Sequence, residues 1–373
     1  MDPKSASYDI AVFGAGISGL AVAARALECG LSVVLLERKG LAEATSSASL
    51  RIMHGGIRYL QNLDLPRLWQ SAAAQHEVLK LYPDLMRPLR CLMPLRPSGL
   101  RSRRPMALGG ALYRALTWKV PRWAGAPRVL SAPQISSEYP ELDALCGAGA
   151  FEWYDVTLLD PAALHARIAR TIEAEGGAIF CNSVVRACAR MANGFTVEAG
   201  SLQLHSRVIV DARGPWISET FQATQRQPHR SWCKAFNVIL SRQIFPDVAF
   251  GIQTAEKRLF FLVPRDPSSV LGTAYLPFDG DPSSVAVSAE EIELFLKSWS
   301  EAAPNLAVGL SDVEAVECGV LPLEPDGGSE LALVGQEKLT DENGYIRVLS
   351  TKYTTFRPQA HKVLELAKPY LMS

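Results

Sequence analysis

Three glycines near the start of the chain have the spacing of a dinucleotide-binding loop. Gly14, Gly16 and Gly19 follow the apolar run YDIAVF. At this spacing the first glycine permits a tight turn, the second lets the backbone approach a pyrophosphate, and the third lets helix and strand pack closely. Glu37 lies 23 residues after Gly14, where an acid accepts hydrogen bonds from a ribose hydroxyl. These residues predict a bound dinucleotide but do not distinguish FAD from NAD.

The elements that would hold this loop form a strand–helix–strand unit. Residues 8–14 and 31–37 are apolar runs typical of buried parallel strands, and residues 17–29 between them have helical character. Asp160 and Pro161 begin a further helix as N-cap and first-turn residue. The pattern also predicts helices over 65–82 and 289–303, strands over 207–211 and 345–351, mostly strands over 232–275, and loops with short helices over 86–130.

Composition and charge argue against several classes of protein. Lys+Arg and Asp+Glu number 38 each in the 373 residues, so no net field favours nucleic acid. The seven cysteines include no CxxC and the six histidines are scattered, which argues against a disulfide framework or a metal site. No GxSxG elbow supports hydrolase chemistry. Without a signal-like start or a run of about 20 apolar residues, the sequence predicts a cytoplasmic protein.

A resemblance to a known family begins in residues 45–60, TSSASLRIMHGGIRYL. This stretch is similar to a segment of the FAD-dependent glycerol-3-phosphate dehydrogenases, within the wider D-amino-acid oxidase and glycine oxidase superfamily. Residues 211–216 (DARGPW), 271–282 and 352–357 (KYTTFR) resemble later segments of the same family, in the same order. Together the segments span nearly the whole chain and are more specific than any one of them.

The resemblance implies that the dinucleotide is FAD and that the fold is α/β with two lobes. It implies a Rossmann-like FAD-binding lobe from residues 1–85, 150–225 and 330–373, and a mixed-sheet substrate lobe from 86–149 and 226–329. In the family, the threonine–serine run lines the FAD pyrophosphate and the flavin edge. The residues expected to bind FAD are Gly14, Gly16, Gly19, Glu37, Thr45, Ser46, Ser47, Gly214 and Thr354.

The reacting residues are expected in the segments that resemble the family's flavin-facing motifs. Flavin oxidation of an alcohol or amine carbon needs a base, and positive or hydrogen-bonding groups around the reacting atoms. His54 is the predicted base, and Arg58 is the predicted anchor for an anionic group. Lys352 is predicted to hold that anion or to polarise the flavin, and Tyr59 and Thr273 to line the substrate. The alternatives are structural: a loop histidine bonded to backbone, a salt-bridged arginine, a core tyrosine and a strand threonine.

The similarity is weakest where the family holds its substrate. The family's Gly-Val-Arg-Pro-Leu segment, whose arginine grips the substrate phosphate, here reads Gly-Val-Leu-Pro-Leu with Leu321 at the arginine position. A leucine cannot form the bidentate pair that arginine makes with phosphate. The family's acidic position after Gly-Thr-Thr falls at Tyr275, and its glycine pair before Lys352 is Ser350-Thr351. These differences predict a substrate other than glycerol 3-phosphate.

The sequence therefore predicts an FAD-dependent dehydrogenase or oxidase. The expected reaction is oxidation of a CH–OH carbon in a small anionic molecule by hydride transfer to flavin, with oxygen or a quinone as electron acceptor. Two alternatives remain: oxidation of a CH–NH carbon in an amino acid or amine, and a flavin-binding partner protein without turnover. Residues 99–128 hold seven basic residues among Leu, Trp and Tyr. They predict either a weak contact with a membrane surface or a solvated basic loop. The sequence does not indicate which oligomeric state the protein adopts.

Overall fold

The computed structural model describes residues 6–121, 123–219, 221–224, 229, 231–254, 259–324 and 331–372, so Arg122 of the basic stretch lies outside the described residues. The helices are α1 (Ile17–Glu28), α2 (Leu65–Leu81), α3 (Arg103–Leu116), α4 (Ala132–Glu138), α5 (Pro161–Ala174), α6 (Ala289–Ala302) and α7 (Phe356–Leu371). The strands are β1 (Ser7–Phe13), β2 (Val33–Leu36), β3 (Ile52–Met53), β4 (Met86–Pro94), β5 (Arg128–Leu130), β6 (Ala150–Leu158), β7 (Ala178–Phe180), β8 (Val185–Met191), β9 (Gly194–Ala199), β10 (Leu202–Asp211), β11 (Trp232–Leu240), β12 (Val248–Gln253), β13 (Leu259–Arg265), β14 (Ser268–Phe278), β15 (Val313–Pro322), β16 (Lys338–Glu342) and β17 (Tyr345–Leu349).

The first sheet carries the predicted strand–helix–strand unit. Its order is β16-β17-β10-β1-β2-β7, with β8 and β9 attached beyond β10. Strands β17, β10, β1, β2 and β7 run parallel, which requires crossover connections. Helices α1, α5 and α7 supply the covering side chains, including Leu20, Ile168 and Val363, all nearly inaccessible to solvent. This packing explains why the parallel strands are continuous apolar runs.

The carboxyl ends of four adjacent parallel strands meet at one edge of this sheet. Phe13 at the end of β1 lies opposite Leu36 of β2 and Asp211 of β10, and Asp211 lies opposite Arg347 of β17. The residues that follow these strands are therefore brought together although they lie far apart in sequence. In open α/β sheets this is the edge at which ligands bind.

The second sheet is mixed, with order β15-β11-β14-β13-β12-β4-β6-β3 and β5 paired to β6. One of its faces packs on α6, where Phe236 of β11 meets Phe295 with ring centroids 5.4 Å apart. Trp299 lies in the same cluster and is fully buried. The opposite face is left for the cavity described below. The two sheets confirm the predicted α/β fold, with one sheet built around five parallel strands and a second, mixed sheet.

The prediction of loops and short helices over residues 86–130 was wrong. This span contains the nine-residue strand β4 inside the second sheet and the 14-residue helix α3. Two prolines and the charged Arg90 hide the strand pattern in the sequence. In the fold, Arg90 pairs with the fully buried Glu152 of β6 at 2.6 Å and with Glu138 at 2.6 Å. A charge that is paired in this way can be accommodated within a sheet.

The lobe boundary at residue 150 also differs from the sheet boundary. Strand β6 (150–158) was predicted in the FAD-binding lobe, but its partners are β4, β3 and β5 of the second sheet. The short strand β3 belongs to the second sheet as well. The division of the chain into lobes stays a prediction at this level of detail. Within the described residues, no helix is both long enough and apolar enough to cross a membrane.

Candidate active site

A cavity of about 760 Å³ lies between the two sheets. Its walls come from the carboxyl edge of the first sheet, from residues 36–59, from the open face of the second sheet and from residues 348–355. Most of the predicted cofactor residues and all the predicted reacting residues line it. Those that do are Gly14, Gly16, Glu37, Thr45, Ser46, His54, Arg58, Tyr59, Gly214, Thr273, Lys352 and Thr354.

The glycine loop closes one end of the cavity. Gly14 has a φ of +94°, and a Cβ there would lie 2.7 Å from the carbonyl oxygen of Ala212. Only glycine therefore fits the turn that leads from β1 into α1. A Cβ on Gly19 would lie 1.9 Å from the carbonyl oxygen of Gly14. Gly19 does not line the cavity and instead lets α1 pack directly against the end of β1.

The N-terminus of α1 faces the cavity. Gly16 is its N-cap residue, and the N–H of Ile17 donates to the hydroxyl oxygen of Ser46 at 3.1 Å. Both Ile17 and Ser46 line the cavity. The exposed N–H groups and the macrodipole at such a helix start favour a phosphate. A Cβ on Gly16 would lie 3.2 Å from the Ser46 hydroxyl and would narrow this cradle.

Glu37 is held at the end of β2 by two backbone groups. Its carboxylate accepts the N–H of Ala15 at 2.7 Å and the N–H of Lys39 at 2.8 Å. The carboxylate thus bridges the glycine loop and the chain after β2. An ionised carboxylate has about four acceptor sites, so capacity remains for the hydroxyls of a ribose.

Two of the predicted cofactor residues have structural partners. Ser47 does not line the cavity, because its hydroxyl turns back to donate to the carbonyl of Ala44 at 2.8 Å. Thr45 lines the cavity but also bridges to β15, where its hydroxyl donates to the carbonyl of Val320 and accepts the Val320 N–H, both at 3.1 Å. Thr45 therefore joins the cofactor segment to the second sheet.

His54 forms a pair with Asp155 of β6. The Nδ1 atom of His54 lies 3.0 Å from a carboxylate oxygen of Asp155, and the N–H of Gly55 donates to the other oxygen at 2.7 Å. The His54 side chain is 45% exposed towards the cavity, whereas the Asp155 side chain is only 4% exposed. A buried acid thus anchors an imidazole that opens onto the cavity.

The state of Asp155 determines which nitrogen of His54 carries a proton. Burial alone would raise the pKa of Asp155, but hydrogen bonds from His54, Gly55 and the Trp153 indole hold that pKa below its usual value. An ionised carboxylate only accepts hydrogen bonds, so Nδ1 of His54 must be the donor. The Nε2 lone pair of neutral His54 is then free to take a proton in the cavity.

The backbone of the His54 segment is fixed on both sides. The N–H of His54 donates to the Thr354 hydroxyl at 3.0 Å, which gives this predicted cofactor residue a role in holding the histidine. The carbonyl of Gly55 accepts from the Tyr113 hydroxyl at 2.9 Å. Gly56 has a φ of +84°, and a Cβ there would lie 2.8 Å from the Cβ of Ser71 in α2. The two glycines let the segment pass between α2 and α3.

Arg58, Tyr59 and Lys352 form a positive cluster beside His54. The Arg58 guanidinium lies 3.4 Å from the Tyr59 hydroxyl, and the Lys352 Nζ lies 5.0 Å from the centre of the Tyr59 ring. Burial raises the pKa of Tyr59, but hydrogen bonds from Lys352 and Arg58 outweigh it and leave the pKa lower than usual. Among the described residues, neither Arg58 nor Lys352 has a carboxylate within salt-bridge distance. The cluster can therefore hold an anion.

The second sheet contributes polar groups from neighbouring strands. The Thr273 hydroxyl donates to Asn237 Oδ1 at 2.8 Å, and both residues line the cavity. Tyr275 lies two residues further along β14. Burial raises the pKa of Tyr275, although Thr273 and Arg58 oppose that shift. Phe261 of β13 packs against His54 with ring centroids 6.2 Å apart. This wall is thus polar near Thr273 and aromatic beneath His54.

A family model confirms what this geometry suggests. The model for FAD dependent oxidoreductases matches residues 9–349. The chain belongs to this family. FAD is accordingly its cofactor, and the chain is an FAD-dependent dehydrogenase or oxidase. The glycine loop, the start of α1 and Glu37 fit FAD, because they offer the tight turn, the N–H groups and the acid that a dinucleotide requires.

Two curated relatives of this FAD dependent oxidoreductase are glycerol-3-phosphate dehydrogenases. The chain is 30% identical to the aerobic glycerol-3-phosphate dehydrogenase of Escherichia coli (strain K12), over 97% of this chain and 74% of that protein. It is 32% identical to the glycerol-3-phosphate dehydrogenase of Pseudomonas aeruginosa, over 99% of this chain and 73% of that protein. These matches confirm the resemblance found in the sequence.

Solved structures share the fold at lower identity. The glycerol-3-phosphate dehydrogenase of Bacillus halodurans, complexed with FAD, has a TM-score of 0.74 at 20% identity and covers 98% of this chain, which spans 65% of that chain. Glycine oxidase from Geobacillus kaustophilus has a TM-score of 0.72 at 15% identity, over 98% of this chain and 95% of that chain. At these identities the likeness concerns the fold alone.

Sequence reasoning missed Asp155 and Asn237. Asp155 and Glu152 are the two acids of β6, a strand that is otherwise mostly apolar or aromatic, and acids in such a strand are the signal that was available. Asn237 lies in β11 and is 2% exposed, so its amide needs the partner that Thr273 supplies. Arg357 of α7 pairs with Glu77 and Glu28. Within the described residues, no group of His, Cys, Asp and Glu is arranged to hold a metal ion.

Proposed function

We propose that this FAD-dependent enzyme oxidises a CH–OH carbon of a small anionic molecule. The observation that carries the proposal is the His54–Asp155 pair, which faces the cavity beside the cluster of Arg58, Tyr59 and Lys352. Bound FAD supplies the acceptor for the two electrons that leave the substrate carbon. The side chains of the protein bind the substrate, orient it and manage its proton.

His54 is the base in this proposal. An alcohol O–H is a weak acid, so its oxidation gains from a positioned base near neutral pH. The Nε2 atom of His54 accepts the hydroxyl proton, and the Asp155 carboxylate stabilises the resulting imidazolium. An amine that binds in its neutral form has a lone pair ready for oxidation, whereas an alcohol must lose its O–H proton. The oriented base therefore supports alcohol oxidation in this proposal.

Arg58 and Lys352 bind the anionic group of the substrate. Their charges converge on Tyr59, so an anion placed there meets a guanidinium fork, an ammonium and a hydroxyl. The test of the proposed reaction is whether bound flavin is reduced without oxygen by small anionic alcohols. Reduction by amines alone would support the rival amine chemistry instead.

The reduced enzyme must pass its electrons to an acceptor, and the surface around α3 bears on the identity of that acceptor. We define the basic surface as Leu100, Arg103, Arg104, Leu108, Trp118 and Lys119. Its apolar residues are highly exposed: Leu100 by 83%, Leu108 by 71% and Trp118 by 70%. Residues 99–128 contain no Asp or Glu. Exposed apolar and basic side chains along α3 and the residues that flank it match a bilayer that carries anionic lipids, which supports a membrane quinone as acceptor.

Vesicle binding tests this surface. The protein is expected to co-sediment with vesicles containing phosphatidylglycerol and to be released by salt, because each basic residue adds about 1 kcal/mol near an anionic surface. Leu108→Glu is expected to reduce the bound fraction strongly, whereas Leu294→Glu, at a leucine of α6 that is 59% exposed, should leave it unchanged. Equal binding to neutral phosphatidylcholine vesicles, or no effect of Leu108→Glu, would contradict the membrane contact.

A further inference from the structure

One face of three neighbouring strands forms a wall of the active-site cavity. Ala235 of β11 lies opposite Tyr275 of β14 on one side and Gly319 of β15 on the other. All three line the cavity, and so does Leu321, two residues beyond Gly319. Side chains alternate along a strand, so Leu321 and Gly319 share the cavity face. The alternate residues, such as Phe236, pack below against α6.

This wall changes character from one strand to the next. Tyr275 and Thr273 place hydroxyl groups on β14 near Arg58. Two strands away, the β15 residues that line the cavity are Gly319, Val320, Leu321 and Pro322, and none of them has a polar side chain. Strand β15 is separated from Tyr275 by roughly 10 Å at ordinary strand spacing. Ala235 between them is apolar and small. The cavity is therefore polar at the Arg58 end and apolar at the Leu321 end.

The positive charges available for a substrate all lie at the polar end. Six basic residues among the described ones line the cavity. Arg51 pairs with Glu317, and Arg213 pairs with Asp211. Arg38 and Lys39 directly follow Glu37 and so lie at the predicted dinucleotide end, where Arg38 stacks on Trp216. Of the described cations that line the cavity, Arg58 and Lys352 are the two that remain for a substrate anion.

Both of these cations are tied closely to His54. Arg58 follows His54 by four residues, in the short helical segment Ile57–Asn62. Lys352 lies two residues before Thr354, whose hydroxyl accepts the His54 N–H at 3.0 Å. These links favour an anionic group attached directly to the carbon that carries the reacting hydroxyl over one at the end of a longer arm.

We propose that the substrate is a 2-hydroxy acid with an apolar side chain, a refinement that rests on the proposed function. Arg58 and Lys352 bind the carboxylate, His54 takes the hydroxyl proton, and the side chain extends over Ala235 towards Leu321. The hydrogen on C2 leaves with its electron pair for bound FAD, and the product is the 2-oxo acid. At the Leu321 end, a leucine cannot form the fork that an arginine makes with a phosphate, so this end suits an apolar group.

Substrate preference of the FAD-loaded protein tests the refinement. The protein is mixed without oxygen with 2-hydroxy-4-methylpentanoate, lactate, sn-glycerol 3-phosphate or leucine, and loss of the flavin's visible absorbance is followed. The branched hydroxy acid is expected to reduce the flavin with an efficiency (the reduction rate constant over the Kd) roughly tenfold or more above that for lactate, because its extra methyl groups fill the apolar end. Glycerol 3-phosphate is expected to be slower than either hydroxy acid.

Two variants of Leu321 test whether this side chain sets the substrate preference, as distinct from a loss of activity towards every substrate. Leu321→Ala is expected to lower the efficiency ratio of the branched acid to lactate roughly tenfold. Leu321→Arg is expected to lower the efficiency for the branched acid and raise that for glycerol 3-phosphate by similar factors. Leu310→Arg places the same charge on an exposed leucine that does not line the cavity and should change neither. The alanine variant keeps the test valid if the arginine variant does not fold.

Each contrary outcome has its own meaning. Faster reduction by glycerol 3-phosphate, or an unchanged ratio in Leu321→Ala, would overturn the 2-hydroxy acid but leave alcohol oxidation in place. Reduction by other small alcohols but by neither hydroxy acid would do the same. Reduction by leucine and not by any alcohol would overturn the proposed function itself, and the refinement with it.

Discussion

Replacing His54 by alanine is expected to slow reduction of the bound FAD by its substrate roughly 100-fold or more. The His54 imidazole faces the cavity and is oriented by a buried acid, since its Nδ1 lies 3.0 Å from a carboxylate oxygen of Asp155. The measurement is the single-turnover rate of flavin bleaching without oxygen, with the FAD content of each preparation determined after denaturation.

The His54 result depends on two controls. FAD content should be unchanged in His54→Ala, because the contact of His54 with Thr354 is made by its backbone N–H. His361→Ala removes an exposed histidine of α7 that does not line the cavity, and its rate should equal that of the unmodified protein. A rate unchanged in His54→Ala would remove the histidine from the chemistry.

Replacing Asp155 by asparagine is expected to lower the same rate by about 100-fold or more, although Asp155 itself does not line the cavity. Asparagine has nearly the same shape, but its amide can present an N–H to His54 and so favour the wrong tautomer of the imidazole. In the serine-protease triad an equivalent change costs about 10⁴ in kcat with the geometry intact. Asp155 is a positioning residue in this account.

A double variant distinguishes positioning from a merely structural role. Asp155 acts through His54, so adding Asp155→Asn to His54→Ala should lower the rate little further, whereas independent effects would multiply. Asp84→Asn serves as a matched control, because it removes one partner of the exposed Arg167 pair and does not line the cavity. A further loss of about 100-fold in the double variant would mean that Asp155 supports the fold rather than acting through His54.

The dinucleotide half of the fold could be predicted from sequence because its signals are local. The run before Gly14, the helix after it and Glu37 all lie within one stretch of about 30 residues, and the strand–helix–strand unit is compact in sequence. The strands that end at Asp211 and Leu349 could be recognised from the same apolar pattern. Their adjacency to β1 follows from the sheet order, which the chain pattern alone does not specify.

The rest of the site depends on contacts between distant segments. Asp155 lies 101 residues from His54, and no spacing rule connects them. Strand β4 was missed because Arg90 looks like a surface residue until Glu152 is placed beside it. The basic stretch contains α3, whose Tyr113 hydroxyl donates to the carbonyl of Gly55, the residue after His54. In each case a charged or polar residue is stabilised by a partner that only the tertiary structure supplies.

The departures from the family were visible in sequence, but their meaning was not. Leu321 replaces an arginine, and this alone predicts only that phosphate is not the preferred anion. The structure adds that the charge of Arg58 reaches Tyr275 of β14, two strands from Leu321, and that Lys352 shares the Tyr59 cluster with Arg58. The position of these charges, rather than the loss of one, leads from an unspecified anion to a 2-hydroxy acid.

The measurement that tests the central claim most directly is an anaerobic titration of the FAD-loaded protein with small alcohols and their matching amines. The account predicts that an anionic alcohol bleaches the flavin and yields one equivalent of the carbonyl product for each FAD reduced, while the matching amine leaves the flavin oxidised. Bleaching by amines alone would contradict CH–OH oxidation. Bleaching by no member of a broad panel would contradict turnover at this cavity altogether.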